Sequence, residues 1–202
     1  MNTKKLFGVF CALLIGGSAL AADAPARPAS TASAIFAGGC FWCIEADFEK
    51  LPGVIGAESG YTAGRTANPT YEQVSAGGTG HTEAIRVIYD PAKVSYPQLV
   101  DYFWRHIDPT VKGRQFCDAG TQYRSGIYWQ NETEKKAAEA SRDALLKGGK
   151  LAQIHTEIIA ATAFYPAEEY HQDYYKKNPI RYAYYRKGCG RDARVEEIWG
   201  RK

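Results

Sequence analysis

The stretch "SAIFAGGCFWCIEADFEKLPG" (residues 33–53) reads as a strand, a glycine turn and a helix in immediate succession. "SAIFAGG" (33–39) is a short apolar run ending in two glycines, the pattern of a buried strand. After it, Phe41, Ile44 and Phe48 recur at helical spacing, and Pro52-Gly53 stops the helix. Cys40 therefore falls at the strand-to-helix turn, at or just before a helix N-terminus. Free backbone N–H groups and the positive end of the helix dipole stabilise a thiolate there, so a lowered Cys40 pKa is expected. The glycine pair permits close approach of a ligand to the backbone. Cys43 follows Cys40 at the spacing of a CxxC pair, with Phe41 and Trp42 between them.

Outward from this stretch, apolar strands alternate with helices. The segment 54–64 alternates like a strand, and 68–91 holds a short helical turn, a glycine loop and a strand from about Glu83 to Tyr89. An amphipathic helix is expected over 96–108 and a solvent-facing helix of mixed charge over 132–148, with the strand "SGIYWQ" before the second. A strand, a turn at Pro166 and a helix follow in 155–179, and the tail beyond is rich in tyrosine and arginine. Such alternation points to a sheet with helices packed on it, without fixing strand order. No internal repeat and no second domain is evident.

Composition narrows the function classes. The chain has 202 residues, 45% hydrophobic and 23% charged, which suits one soluble globular domain. The first residues carry Lys4 and Lys5, an apolar run from Leu6 to about Ile15, and the small-residue pattern Ala19-Leu20-Ala21. That is a secretory signal with cleavage expected after Ala21, the apolar run being short for a membrane span. Cleavage removes two lysines and no acid, taking the net charge from +3 to about +1. No basic field calls for nucleic acid or an acidic membrane. The Ala/Pro/Ser-rich residues 22–33 read as a disordered lead-in, 34–180 as the folded domain, and 181–202 as an irregular tail.

Four cysteines remain after cleavage: Cys40, Cys43, Cys117 and Cys189. In an exported protein the plain reading is two structural disulfides, and spacing does not settle their pairing. Glu83, where the glycine loop of "GTGHTEAIRV" becomes an apolar strand, could hold its proton tightly and serve as a general acid. Tyr71 in "NPTY" and Tyr123 in "GTQYRS" offer hydroxyls for a polar oxygen. Cys189, flanked by glycines on a basic tail, could visit another cysteine. Met1 is the only methionine, so the processed chain has none.

The blocks "GGCFW", "SGYTAG", "NPTYEQVSAGGTGHTEAIRVIYDP", "DPT", "GTQYRSGIY" and "AEEYHQDYYKKNP", in this order, closely resemble the A-type peptide methionine sulfoxide reductases. The resemblance covers roughly Ala34 to Pro179. It implies an α+β fold, a compact two-layer sandwich with a ferredoxin-like mixed sheet. It also implies reduction of methionine S-sulfoxide, free or in proteins, with no metal or organic cofactor. By position, Cys40 matches the family nucleophile, and Phe41 and Trp42 match the pocket for the sulfoxide methyl. Glu83 matches the acid, Tyr71 and Tyr123 match oxygen-binding hydroxyls, and Asp118 matches a substrate-positioning residue. His171 lines the same region. The implied cycle makes a sulfenic acid on Cys40, then an intramolecular disulfide, which a thioredoxin-like donor reduces. A monomer in the periplasm or outside the cell is expected.

One departure stands out. Where many relatives have a resolving cysteine soon after the "NP" of the last helix, this chain reads "NPIRYA" (178–183). Cys189 is the expected resolving thiol, with Cys43 the second choice and Cys117 a spare thiol or relay. The rival readings are a CxxC thiol-disulfide oxidoreductase, a zinc site on the four cysteines, and a disulfide-stapled exported binding domain.

Overall fold

The computed structural model describes residues 30–200, together with Met1. The expected signal segment 1–21 and most of the lead-in lie outside the described residues, apart from that one methionine. Among the described residues, eight strands and seven α-helices follow. β1 (Ala32–Gly38), α1 (Phe41–Phe48), β2 (Val54–Thr62), α2 (Tyr71–Ala76), β3 (Thr82–Tyr89) and α3 (Tyr96–Trp104) form the first half. The short β4 (Arg114–Gln115) and β5 (Asp118–Ala119) pair with each other. Then come β6 (Ser125–Trp129), α4 (Glu132–Lys147), β7 (Glu157–Ala160), β8 (Tyr165–Pro166), α5 (Tyr174–Lys177), α6 (Pro179–Gly188) and α7 (Arg191–Trp199).

The main sheet has six strands in the order β7-β6-β1-β3-β2-β8. Only β6 and β7 run parallel, so the sheet is mixed, in agreement with the α+β expectation. Ala32 and Ser33, read from sequence as lead-in, already pair with Tyr89 and Ile88. Alternation along β1 sets its two faces. Ala34 and Phe36 enter the main core, whereas Ile35 and Ala37 pack with Ala84 and Tyr128 on the other side. Phe36 sits between Phe48 of α1 and Phe103 of α3, each with ring centroids 5.1 Å away, joining sheet to helices. Truncating a fully buried phenylalanine like this one costs about 3–5 kcal/mol. α4 buries only Ala138, as its mixed-charge sequence predicts, and docks on α3 where Trp104 Nε1–H donates to Ser141 Oγ (3.1 Å).

The tail corrects the sequence reading. Residues expected to be irregular and mobile form α6 and α7, and Arg191, Val195, Ile198 and Trp199 of α7 are buried. Arg191 reaches Gly38 O (3.1 Å) and His106 O (2.9 Å), and Trp199 Nε1–H donates to Ile107 O (3.1 Å). A basic, glycine-flanked sequence looked like a solvated tail. Arg191 instead caps carbonyls at the end of β1 and beyond α3.

Candidate active site

The site forms at one end of the sheet, where antiparallel pairing brings together the exit of β1, the entry of β3 and the entry of β6. Gly38, the last residue of β1, pairs with Ser125, the first of β6. Glu83 lies one residue into β3, opposite Tyr61 near the end of β2. Gly39 then turns the chain at φ +80°, and a Cβ there would lie 2.5 Å from Gln115 Cβ, so only glycine fits. Gln115 cannot readily yield, because its amide is held by Asp108 N (2.9 Å) and Asp108 O (2.6 Å).

Cys40 is the N-cap of α1 and only 6% exposed. The next amide, Phe41 N–H, donates to Glu83 Oε2 at 3.0 Å. A helix-terminal donor expected to serve the thiolate thus serves the buried acid instead. Tyr71 opens α2 and is fixed by a capping box between Thr70 and Gln73. Glu168 secures it further, accepting from Tyr71 N–H (2.8 Å) and from Tyr61 O–H (2.9 Å).

Cys40, Phe41, Trp42, Tyr71, Glu83, Asp118 and Tyr123 line one pocket of about 90 Å³. Residues up to 83 positions apart, chosen from sequence, therefore converge on one space. Tyr185 of α6 joins them and was not singled out in the sequence. Its hydroxyl donates to Asp118 Oδ2 (2.6 Å), on the pocket that Cys40 also lines. One tyrosine among 14 carries no local signal of such a role. His171 stands behind the wall rather than in the lining. It accepts from Trp42 Nε1–H at Nδ1 (3.0 Å) and packs against Phe41 and Tyr71, with centroids 4.9 and 4.4 Å away. That bond requires a neutral ring with its proton on Nε2. Burial agrees, holding the His171 pKa below its ordinary value.

Burial also sets the protonation of the acids. Glu83, 3% exposed, is raised to about 8 by loss of solvent, against the opposing Phe41 N–H bond. It is a protonated acid at neutral pH, poised to donate. Asp118 is likewise pushed up by burial, with the Tyr185 bond working the other way. Burial keeps the Tyr71 and Tyr123 hydroxyls protonated, so both remain donors.

The thiols depart from the sequence expectation. Cys40 is pushed up, not down, by burial and by the neighbouring Cys43. Cys43 is lowered by the hydrogen bond from Cys40 and by the Arg191 and Arg186 guanidiniums. Of the two sulfurs, the arginines favour negative charge on Cys43 over Cys40. Both arginines are fixed by buried Asp47 of α1: Arg186 Nη1 lies 3.0 Å from Oδ1, and Arg191 Nε 3.7 Å from Oδ2.

Cys40 and Cys43 are free, whereas Cys117 and Cys189 form a disulfide. Cys189, expected to reach Cys40 from a mobile tail, is held at the end of helix α6 and bonded to Cys117. This pairing removes the four-cysteine zinc site. The Asp118 carboxylate and both sulfurs of the pair lie within 4.8 Å of one another. The disulfide therefore borders the pocket through Asp118.

A buried thiol beside a protonated acid and two tyrosine donors is more than a bare CxxC pair needs. The family model for peptide methionine sulfoxide reductase matches residues 32–202, almost the whole described chain. The chain belongs to the peptide methionine sulfoxide reductase family. The reductase MsrA 2 of Caulobacter vibrioides is 48% identical over 198 residues, covering 98% of this chain and 99% of that protein. Among solved structures, methionine sulfoxide reductase A of Corynebacterium diphtheriae is 37% identical with a TM-score of 0.68, over 77% of this chain and 78% of that one. Mxr1 of Saccharomyces cerevisiae, in complex with Trx2, is 26% identical with a TM-score of 0.50, over 73% of this chain and 87% of that one. Membership accounts for the mixed sheet, and the enzyme reduces methionine S-sulfoxide by cysteine-disulfide chemistry.

Proposed function

We propose that this pocket repairs methionine S-sulfoxide in exported proteins, with Cys40 as nucleophile and Glu83 as proton donor. The convergence of a buried thiol and a protonated carboxyl on one cavity carries the reading. A sulfoxide sulfur is a poor electrophile until its oxygen is protonated or strongly hydrogen-bonded. Glu83 supplies the proton while Tyr71 and Tyr123 donate to the same oxygen. Phe41 and Trp42 wall the methyl side, and Asp118, oriented by Tyr185, positions the rest. Cys40 passes its own proton to Cys43 and attacks sulfur. The oxygen ends on Cys40 as a sulfenic acid, and methionine leaves.

Cys43 then attacks the sulfenic sulfur, the oxygen departs as water, and a Cys40–Cys43 disulfide forms. Its hydrogen bond to Cys40 and its lowered pKa support this order, which reverses the preference read from the sequence. That bond is buried, out of reach of a protein reductant. When Cys117 and Cys189 are reduced, the Cys189 thiolate attacks the buried disulfide. Cys117 then displaces it, leaving a Cys117–Cys189 disulfide and two free thiols at Cys40 and Cys43. What supports the route is the coexistence of those two free thiols with a bonded pair beside the pocket, Cys117 being exposed. A thioredoxin-like dithiol, as the Mxr1–Trx2 complex suggests, reduces the outer pair.

The pocket is complete within one chain, which supports a monomer. The export reading rests on the segment 1–21, into which the alignment with the Caulobacter protein extends. The deciding experiment is reduction of resolved S- and R-methionine sulfoxide by wild type and Cys40→Ser. Wild type is expected to consume the S-epimer alone, and the variant neither. Activity surviving the substitution overturns the assignment.

A further inference from the structure

Two walls of the catalytic pocket have a second use. Trp42 and Tyr185 also line an open groove of about 430 Å³, together with Tyr174, Ile180, Arg181 and Tyr184. Ile180 and Tyr184 stand one helical turn apart on α6 and are 85% and 83% exposed. No residue of α6 is buried, so these apolar side chains do not serve the core. The floor of the groove is rigid. Trp42 stacks on Tyr174 at 3.7 Å with an interplanar angle of 6°, and Tyr185 meets Trp42 edge-on.

We infer that this groove is the subsite for a large apolar residue flanking the oxidised methionine of a polypeptide substrate. The inference rests on the proposed reading of the pocket. It follows from continuity: a sulfoxide in a chain brings neighbours whose Cα atoms lie about 3.8 Å from its own. Those neighbours must lie against the rim, and beyond Trp42 and Tyr185 the rim opens into this apolar surface. Exposed aromatic and aliphatic side chains there gain by covering an apolar partner. Arg181 adds a cation at the groove, so an acid is preferred over a base beyond the apolar residue. Free methionine sulfoxide occupies the pocket and leaves the groove empty.

The test uses fully reduced enzyme in single turnover with no reductant present, and repeats the comparison with thioredoxin driving turnover. Blocked peptides Leu-MetO, Lys-MetO and Leu-MetO with an added flanking Asp or Lys are compared with free methionine sulfoxide. In the Ile180→Asp/Tyr184→Ser double variant, efficiency on the Leu-flanked peptide is expected to fall about 10-fold. Efficiency on the free sulfoxide stays within about twofold of wild type, because that substrate lacks the apolar neighbour. Arg181→Glu is expected to invert the Asp-over-Lys preference. An unchanged peptide rate, an equal loss on both substrates, or a loss seen only when thioredoxin drives turnover each overturns the subsite. The last result would assign the groove to the reductant. Reduction of the free sulfoxide by wild type tests the pocket independently.

Discussion

The Phe41 amide and the Glu83 carboxyl are joined by a 3.0 Å hydrogen bond, so the residue after Cys40, the proposed nucleophile, holds the buried acid. Backbone geometry at the start of α1 thereby sets the separation between the attacking sulfur and the proton it needs.

The first consequence concerns pH. Glu83 is raised to about 8, and in the proposed reaction its protonated form is the donor. Donation is therefore complete well below pH 8 and is lost as pH rises through that value. Single-turnover reduction of methionine S-sulfoxide is expected to fall above about pH 8, with a slope of one proton. Glu83→Gln keeps an acceptor for Phe41 N–H but has no proton to give. Its rate should drop by about 10²–10³-fold and lose this pH limb. A variant retaining both rate and limb would exclude Glu83 as the acid.

The cysteines separate by stoichiometry. Fully reduced wild type, given excess substrate without reductant, should yield two methionines per chain, one for each dithiol. Cys117→Ser should yield fewer and slow thioredoxin-driven turnover about tenfold or more, while turnover driven by a small dithiol persists. Cys43→Ser should accumulate a Cys40 sulfenic acid that a cyclic-dione probe traps. Thioredoxin-driven turnover at the wild-type rate in Cys117→Ser would make the Cys117–Cys189 bond a staple, not an outlet.

His171 acts through Trp42. Replacing it by phenylalanine leaves the indole N–H without its acceptor, a loss of about 1–3 kcal/mol if the group stays buried. We expect KM for the sulfoxide to rise with a smaller change in kcat, and tryptophan fluorescence to shift as the indole reorients. His171→Gln, which can still accept from Trp42, should recover part of the KM. A pure kcat loss with unshifted fluorescence would place His171 in the chemistry itself.

These relationships differ in how far the sequence shows them. The strand, turn and helix of residues 33–53 were legible because apolar spacing and the glycine pair are local signals. So were the expected pocket residues, six of which lie in recognisable blocks, with Asp118 two residues before one. Strand order was not, because pairing of β1 with both β3 and β6 depends on contacts distant in sequence. Tyr185 and the Cys117–Cys189 bond escaped for the same reason: the tail looks polar until Arg191 meets its carbonyls. The direction of the Cys40 pKa also needed the fold. A helix N-terminus lowers a thiol pKa only while its amides are free and the sulfur is hydrated. Here Phe41 N–H is taken by Glu83 and the sulfur is buried.

Arg191 is where fold and site meet. Its guanidinium is buried, bonds to Gly38 O and His106 O, lies 4.5 Å from the centre of the Phe116 ring and faces Asp47. Gly38 is two residues before Cys40, so the same cation that docks α7 also anchors the turn carrying that thiol. Arg191→Met fills much of the volume but leaves Asp47 with one cation fewer and two carbonyls unpaired. Removing one partner from a buried ion pair costs about 3–5 kcal/mol, so the urea midpoint should fall clearly with an unchanged m-value. The charge at Cys43 loses a stabilising neighbour in the same step. The thiolate absorbance of the reduced protein should then titrate at higher pH than in wild type. A folded Arg191→Met protein with wild-type midpoint and wild-type thiol titration would show that α7 neither braces the sheet nor tunes the thiols.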